Sequence, residues 1–204
     1  MIKVEIEIDG ELTTYSFPTS WDDITISQYQ RLYEIPKRES NDLFYYFDVL
    51  HALSNIEHKV LQQMSFSDFK QLTEQLQFIY TPVENKKLTA IELEGDMYYI
   101  HTDFNKYTAG EIITIDTILR QYNHEYIKCM TDLLCVFLRK KENDKVEIFT
   151  TDLLNRKELF SKIKIGDINS VFGFFLSGKN SLETNIKDSI NENSPKKKVS
   201  LKEN

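Results

Sequence analysis

The chain has 204 residues, of which 41% are hydrophobic, 12% aromatic and 28% charged, and this size suits one or two globular domains. Only 6 Gly and 4 Pro occur beside 11 Tyr and 13 Phe, which excludes a collagen-like or wholly disordered chain. Acidic residues outnumber basic ones by 32 to 25, and the net charge of -7 argues against general binding to the phosphate backbone of nucleic acids.

The sequence pattern indicates neither export nor a membrane span. The first ten residues carry three acidic side chains and no apolar block, unlike a secretory signal or a transit peptide. The longest apolar stretches are far shorter than the roughly 20 residues that span a bilayer. Cys129 and Cys135 are six residues apart in a segment with helical periodicity, which places them on different sides of a helix. We therefore expect a soluble protein with two buried free thiols.

The first 82 residues predict a hairpin followed by helices. Residues 2–8 alternate between apolar and charged side chains, which is the period of a strand. Asp9-Gly10 favours a tight turn into a second strand over residues 12–17. Helical spacing then predicts four helices. They run from Ile26 to before Pro36, from after Ser40 or Asn41 to Leu53, from Ile56 to Met64, and from a cap at Ser65 to Ile79.

The second half predicts another hairpin and a helical bundle. The strands are expected over residues 88–93 and 97–102, with Glu94-Gly95-Asp96 as their turn. Helices are expected over residues 110–122, 124–140, 152–163 and 168 to about 190, with a short strand over residues 146–149. Residues 130–138 are apolar nearly all round, which is typical of a buried helix. Arg139, Lys140 and Lys141 at its end are expected to complement the helix dipole.

These elements predict an α+β fold with two β-hairpins packed on a mostly helical bundle. Residues 1–82 and 83–190 form the two predicted parts, either as separate domains or as one domain together. Residues 191–204 form a polar tail with four Lys and two Glu, a composition typical of disordered segments.

A short pattern recurs in the two hairpins. Residues 6–11 and 91–96 share the order apolar, acidic, apolar, acidic, Gly, acidic at an offset of 85. Each hairpin leads to a Thr-rich helix start, at Thr25 and at Thr108. The pattern allows two related hairpin-plus-helix units that share one sheet. It also allows two unrelated hairpins, because charged hairpins with a Gly turn are common.

The sequence contains no recognised catalytic, cofactor or metal motif. The four histidines, at positions 51, 58, 101 and 124, lack the spacing of metal ligands, and a predicted helix break separates His51 from His58. The isolated glycines form no phosphate-binding loop, and no nucleophile elbow occurs. We therefore predict no catalytic residues, no cofactor and no metal. A small enzyme with an unrecognised site is the alternative, and a cavity with His51 or His101 beside a carboxylate of perturbed pKa would favour it.

Two aromatic runs, residues 44–47 and 172–175, are candidates for protein contacts. Consecutive aromatic residues on a helix point in all directions, so part of each run needs either the core or a partner surface. The predicted partner-contact residues are Trp21, Tyr29, Phe44, Tyr45, Tyr46, Phe47, Phe172, Phe174 and Phe175. In the tail, Lys196, Lys197 and Lys198 are candidate nucleic-acid contacts, with a solvated chain end as the alternative.

Three stretches carry a resemblance to a known group of proteins. Residues 20–29, SWDDITISQY, resemble the phrase S-W-x-D-I-T-L-x-x-Y found near the start of small structural or tail-assembly proteins of tailed bacteriophages. Residues 107–116, YTAGEIITID, resemble a second phrase of these proteins, T-x-G-E-x-I-x-I-D. Residues 133–139, LLCVFLR, resemble the L-L-A-x-x-x-R helix that follows, although Cys135 replaces a small residue and no Pro follows Arg139.

The resemblance covers about residues 1–165 and is nearest to virion-associated proteins of crAss-like phages. It implies a non-enzymatic virion component, either structural or an internal cargo protein of the capsid-tail assembly, made in the host cytoplasm. Its implied partners are other phage structural proteins or a second copy of itself, with nucleic acid contacted only through the tail. The alternative is a tail-assembly chaperone that is absent from the mature particle.

Overall fold

The computed structural model describes residues 1–8, 10–36, 43–84, 86–101, 103–142 and 145–173. The α-helices are α1 (Ile26–Glu34), α2 (Leu43–Ser54), α3 (His58–Gln63), α4 (Phe66–Gln75), α5 (Ala109–Gln121), α6 (Met130–Phe137), α7 (Lys157–Phe160) and α8 (residues 165–173). The strands are β1 (Ile2–Ile8), β2 (Glu11–Phe17), β3 (Ala90–Leu93), β4 (Asp96–Ile100), β5 (Leu138–Arg139), β6 (Lys141–Glu142) and β7 (Lys145–Val146). Short 3-10 helices lie at Trp21–Asp23, Leu76–Tyr80, Phe104–Lys106 and Thr151–Arg156. The predicted α+β class is confirmed.

Both predicted hairpins are present, but they lie in different sheets. β1 and β2 form a two-stranded antiparallel sheet, and Gly10 in its turn has a φ of 84°. β3 and β4 turn through Glu94 and Gly95, whose φ angles are 51° and 83°. β5 pairs with the outer edge of β4 and completes a three-stranded sheet. Of the two alternatives that the sequence pattern allows, the one in which both hairpins share one sheet is therefore wrong.

The long helix predicted over residues 124–140 is shorter than expected. Asn123 and His124 have φ angles of 50° and 61°, and this left-handed backbone separates α5 from the turns that precede α6. The chain leaves the helix after Phe137 and becomes strand β5, so Arg139 lies in a strand rather than at a helix end. Cys129 precedes α6 and Cys135 lies within it, and both are free and fully buried as predicted.

The C-terminal elements also differ from the prediction. The helix expected over residues 152–163 is a 3-10 helix followed by the short α7. The strand expected over residues 146–149 is instead the small β6–β7 hairpin. α8 begins at residue 165 rather than 168, and the remainder of that predicted helix lies outside the described residues.

One continuous core includes buried residues from both predicted halves, from Ile6 in β1 to Phe172 in α8. A short backbone connection joins the halves, since the Ile26 amide donates to the Ile163 carbonyl at 2.9 Å and the Ile165 amide donates to the Ile24 carbonyl at 2.9 Å. The start of α1 is therefore fixed against the start of α8.

Both halves repeat the same order of elements. A hairpin is followed by a 3-10 helix, a helix with a capping box and a second helix, namely β1–β2, Trp21–Asp23, α1 and α2 in the first half, and β3–β4, Phe104–Lys106, α5 and α6 in the second. The Gln28 amide donates to the Thr25 hydroxyl at 3.2 Å, and the Glu111 amide donates to the Thr108 hydroxyl at 3.3 Å. Each cap satisfies amides that a helix start leaves unpaired.

The Gln28 and Glu111 side chains of these caps also bond other elements of their own halves. Gln28 Nε2 donates to the Leu53 carbonyl near the end of α2 at 2.5 Å. Glu111 accepts at 2.9 Å from Arg139, which lies in β5 two residues after α6. The two halves thus share their element order and their capping boxes, whereas the further contact of the capping residue differs between them.

Candidate protein-contact surface

The aromatic run at residues 44–47 lies in the first turns of α2 and contributes to an exposed patch. Leu43 and Phe44 are 51% and 66% exposed, and Tyr80 at the end of the 3-10 helix after α4 is 54% exposed. Tyr45 and Tyr46 are half-buried between the core and this patch. We call Leu43, Phe44, Tyr45, Tyr46 and Tyr80 the aromatic surface.

Contacts between its tyrosines hold the aromatic surface in place. The hydroxyls of Tyr46 and Tyr80 are 3.3 Å apart, which joins α2 to the 3-10 helix after α4. The rings of Tyr45 and Tyr46 meet edge to face at 5.7 Å. Burial and the contact with Tyr46 raise the pKa of the Tyr80 hydroxyl. Tyr80 therefore stays protonated at neutral pH and keeps a hydroxyl group that can form hydrogen bonds.

Phe47, the last residue of the run, points the other way. Its ring stacks on Phe69 of α4 with centroids 4.7 Å apart. Within this run of four aromatic residues, one ring thus packs in the fold and another is available for a partner surface. Phe47 packs α2 onto α4, whereas Phe44 presents most of its ring to solvent.

The other described candidates for partner contact, Trp21, Tyr29 and Phe172, make contacts within the fold. Trp21 meets Tyr29 and Phe78 edge to face at 5.8 and 5.3 Å, and its indole N–H donates to the Thr81 carbonyl at 2.9 Å. Trp21 and Tyr29 therefore connect the first 3-10 helix, α1 and the chain after α4. Phe172 is only 6% exposed and belongs to the core, so its expected role in partner contact is replaced by core packing. Phe174, Phe175, Lys196, Lys197 and Lys198 lie outside the described residues.

His51 and His58 approach each other despite the helix break between them. Their rings meet at 5.1 Å, because Asn55 takes a φ of 61° and turns the chain from α2 back towards α3. A ring nitrogen of His51 bonds the Ile56 carbonyl at 2.7 Å, and His58 lies 3.5 Å from Asp48. Within the described part of the chain, no group of three or more His, Cys, Asp or Glu side chains is placed to hold a metal ion.

His101 lines a cavity of about 390 Å³ together with Asp103, Lys106 and Lys141. Burial lowers the pKa of His101, and hydrogen bonds from the segment 105–106 lower the pKa of Asp103 against the effect of burial. A cavity with His101 beside a carboxylate of perturbed pKa is the arrangement that would favour the alternative of a small enzyme. Asp103 nevertheless accepts from the Asn105 amide at 3.1 Å and pairs with Lys106 at 3.3 Å, so both carboxylate oxygens already stabilise the adjacent 3-10 helix.

No protein family, curated protein or solved structure matches this chain. Across the described residues, no helix has both the length and the apolar character needed to cross a membrane. The geometry of the aromatic surface and the sequence resemblance are therefore the two grounds for a functional proposal.

The sequence identified Phe44, Tyr45 and Tyr46 but not Tyr80. Tyr80 is 34 positions from Tyr46, and no periodicity within one helix reveals a contact over that separation. The only sequence signal is its place directly before Thr81-Pro82, where the chain must leave the helix.

Proposed function

We propose that this protein is a non-enzymatic virion component of a tailed bacteriophage that acts through protein–protein contacts. It is made in the host cytoplasm and is located in the virion, and its partners are other phage structural proteins. The observation that carries the contact role is the aromatic surface, with Phe44 66% exposed beside Tyr80 at 54%. The phage assignment depends on the resemblance of residues 20–29, 107–116 and 133–139 to phage structural proteins.

The aromatic surface has the chemistry of a protein interface. Tyr and Phe are enriched where proteins bury surface against each other, since a rigid ring supplies a large contact area. The Tyr46–Tyr80 contact restricts both side chains before any partner arrives, which lowers the entropy lost on binding. We infer that the partner offers an apolar pocket for Phe44 and a hydrogen-bonding group for the tyrosine hydroxyls.

Exchanging Phe44 for serine in the phage tests the contact role. Phe44→Ser should reduce incorporation of the protein into particles while the purified variant keeps its thermal unfolding midpoint. Phe66→Ser is the matched control, because Phe66 is 70% exposed on another helix, α4. Equal incorporation of the two variants would show that the aromatic surface does not bind the partner.

Mass spectrometry of purified particles separates the virion role from the chaperone role. A permanent component stays with the particles through density-gradient purification at a fixed ratio to the major capsid protein. Absence from mature particles, together with its presence in assembly intermediates, would establish the chaperone alternative instead.

The cavity at His101 supports a second candidate function, that of a small enzyme. A neutral imidazole beside Lys106 and Lys141 is a group that can accept a proton. His101→Gln distinguishes the two functions. If the protein is an enzyme, His101→Gln should impair phage growth although the variant protein is still incorporated into particles. If the protein acts only through contacts, both incorporation and phage growth should stay unchanged.

A further inference from the structure

The two repeated halves differ at one edge of their hairpins. In the second half, β5 pairs antiparallel with β4, with Tyr99 opposite Arg139 and Ile100 opposite Leu138. In the first half, β1 is the only strand that pairs with β2 in the described part of the chain. The edge of β2 that corresponds to the β5-bearing edge of β4 thus has no strand beside it among these residues.

The sequence pattern identifies which residues of β2 correspond to the paired residues of β4. At the offset of 85 that relates the two hairpins, Tyr99 corresponds to Thr14 and Ile100 to Tyr15. Thr14 is exposed, and so are Glu11, Leu12 and Thr13 before it. In an antiparallel pair, alternate residues direct both their N–H and C=O groups away from the partner strand, so β2 presents a row of such groups outward.

α2 packs against β2, but the chemistry of the exposed residues 12–14 does not protect them from pairing with a further strand. Residues 12–17, LTTYSF, carry no charge, and Leu12 is 70% exposed. Natural edge strands are usually protected from pairing by charged side chains or Pro. β1 has that protection, because Lys3 and Glu5 alternate with its apolar residues and its flank faces a groove shared with α4. β2 instead carries Thr and Tyr, which favour strand structure.

We propose that a second copy of this chain pairs its β2 antiparallel with this β2 and forms a four-stranded sheet across the dimer. The two-fold axis passes beside Thr14, so Thr14 faces Thr14, Thr13 faces Tyr15 and Leu12 faces Ser16. This contact lies apart from the aromatic surface and does not depend on the phage assignment.

Two observations favour a second copy as the occupant. The strand that occupies the corresponding edge in the second half, β5, is antiparallel to β4, and a two-fold contact between identical strands requires that direction. The pairing over residues 12–16 also places no charge opposite a like charge, because these residues are uncharged. A ladder of this length buries little surface, so the dimer should form only at high protein concentration.

Cysteine crosslinking of the full-length protein tests the register. Thr14→Cys places two thiols opposite each other, and the roughly 4.5–5.5 Å between opposed Cα atoms of antiparallel strands permits a disulfide. The native Cys129 and Cys135 are fully buried, which raises their thiol pKa values to about 11 and about 12, so they should not react. Thr117→Cys, on the exposed face of α5, is the matched control.

On mild oxidation we expect Thr14→Cys to form a covalent dimer at least tenfold faster than Thr117→Cys. Equal rates, or faster crosslinking at another position of β2 than at Thr14, would overturn the proposed pairing. A control without oxidant should give no covalent dimer.

Sedimentation provides an independent readout that does not need a thiol. The wild-type protein should show a rising dimer fraction with concentration, and Thr14→Lys should stay monomeric because two lysines would then face each other. Thr14 is opposite Glu5 within the hairpin, so the lysine should not disturb the monomer. A wild-type protein that stays monomeric at the highest soluble concentration, or a dimer unchanged by Thr14→Lys relative to Thr117→Lys, would overturn the proposal.

Discussion

Arg139 donates from Nη2 to Glu111 Oε1 at 2.9 Å, and the side chains of Arg139 and Glu111 are only 1% and 7% exposed. Arg139 also donates to the Cys135 carbonyl at 2.8 Å and lies over the ring of Phe149 at 4.9 Å. Glu111 accepts at its other oxygen from Thr108, which caps α5. One buried ion pair therefore fixes the start of α5 to the strand that completes the second sheet.

Breaking this pair from either side should strongly destabilise the fold. Glu111→Gln or Arg139→Met would leave one buried charge without its partner, at a cost of about 3–5 kcal/mol in the free energy of unfolding. Chemical denaturation of each variant measures the loss. The double variant should recover part of it, because it buries no unpaired charge, and a strictly additive double variant would contradict a direct interaction.

The ion pair also predicts how stability depends on acid. Burial alone would raise the pKa of Glu111, but the hydrogen bonds from Thr108 and Arg139 outweigh burial and lower it below its ordinary 4.5. The stabilisation from this group is thus complete above about pH 4.5 and is lost as the pH falls through the lower pKa of the folded state.

Unfolding free energies measured from pH 7 to pH 3 test this expectation. Below pH 4.5 the wild-type protein should lose stability more steeply than Glu111→Gln. The control is Glu92→Gln, which changes an exposed carboxylate on β3 and should keep the wild-type slope. Parallel curves for wild type and Glu111→Gln would show that Glu111 does not titrate with unfolding.

Arg139 shows which part of the structure the sequence could predict. The apolar run before it correctly indicated a buried helix, because the 3.6-residue period is local information. The point where that helix gives way to β5 depends on pairing with Tyr99 and Ile100, about 40 residues earlier in the chain. Arg139 therefore looked like a dipole-complementing residue at a helix end, although it is buried against Glu111.

The helix caps are the opposite case, because their signal is entirely local. The Thr-rich helix starts noted at Thr25 and Thr108 both form capping boxes. The aromatic surface lies between these extremes. The Phe44–Phe47 run was visible in the sequence, but its division into an inward Phe47 and an outward Phe44 depends on where α4 packs.

The two capping threonines should contribute similar stability. Thr25→Ala and Thr108→Ala each remove a hydroxyl that bonds a free helix amide, which typically costs about 1 kcal/mol. Denaturant midpoints of the purified variants measure the effect. Thr25→Ser and Thr108→Ser keep the hydroxyl and should lie near wild type, whereas equal losses in the serine and alanine variants would indicate that the methyl group matters instead.

Phe44 and Phe47 should differ in their effect on folding. Phe47→Ala removes the stack of a half-buried ring on Phe69 at 4.7 Å and should cost about 1–3 kcal/mol, within the usual range for single substitutions. Phe44→Ala should change the free energy of unfolding by less than about 0.5 kcal/mol, as is usual at exposed positions. A large loss for Phe44→Ala would mean that Phe44 supports the fold and is not reserved for a partner.

His101 should add a second, separate pH dependence nearer neutrality. Burial is the main cause that lowers its pKa below 6.5, with Arg139 acting in the same direction and Glu111 in the opposite one. An unfolded chain therefore takes up a proton at His101 before the folded chain does, so stability is complete above about pH 6.5 and falls as the pH drops through the lower pKa of the folded state. In an NMR titration, the imidazole proton signals of His101 should move with a midpoint below 6.5. In a separate measurement, His101→Gln should reduce the change of the unfolding free energy between pH 7 and pH 5 and leave its slope below pH 4.5 unchanged. A midpoint at or above 6.5 would show that burial does not dominate the environment of the ring.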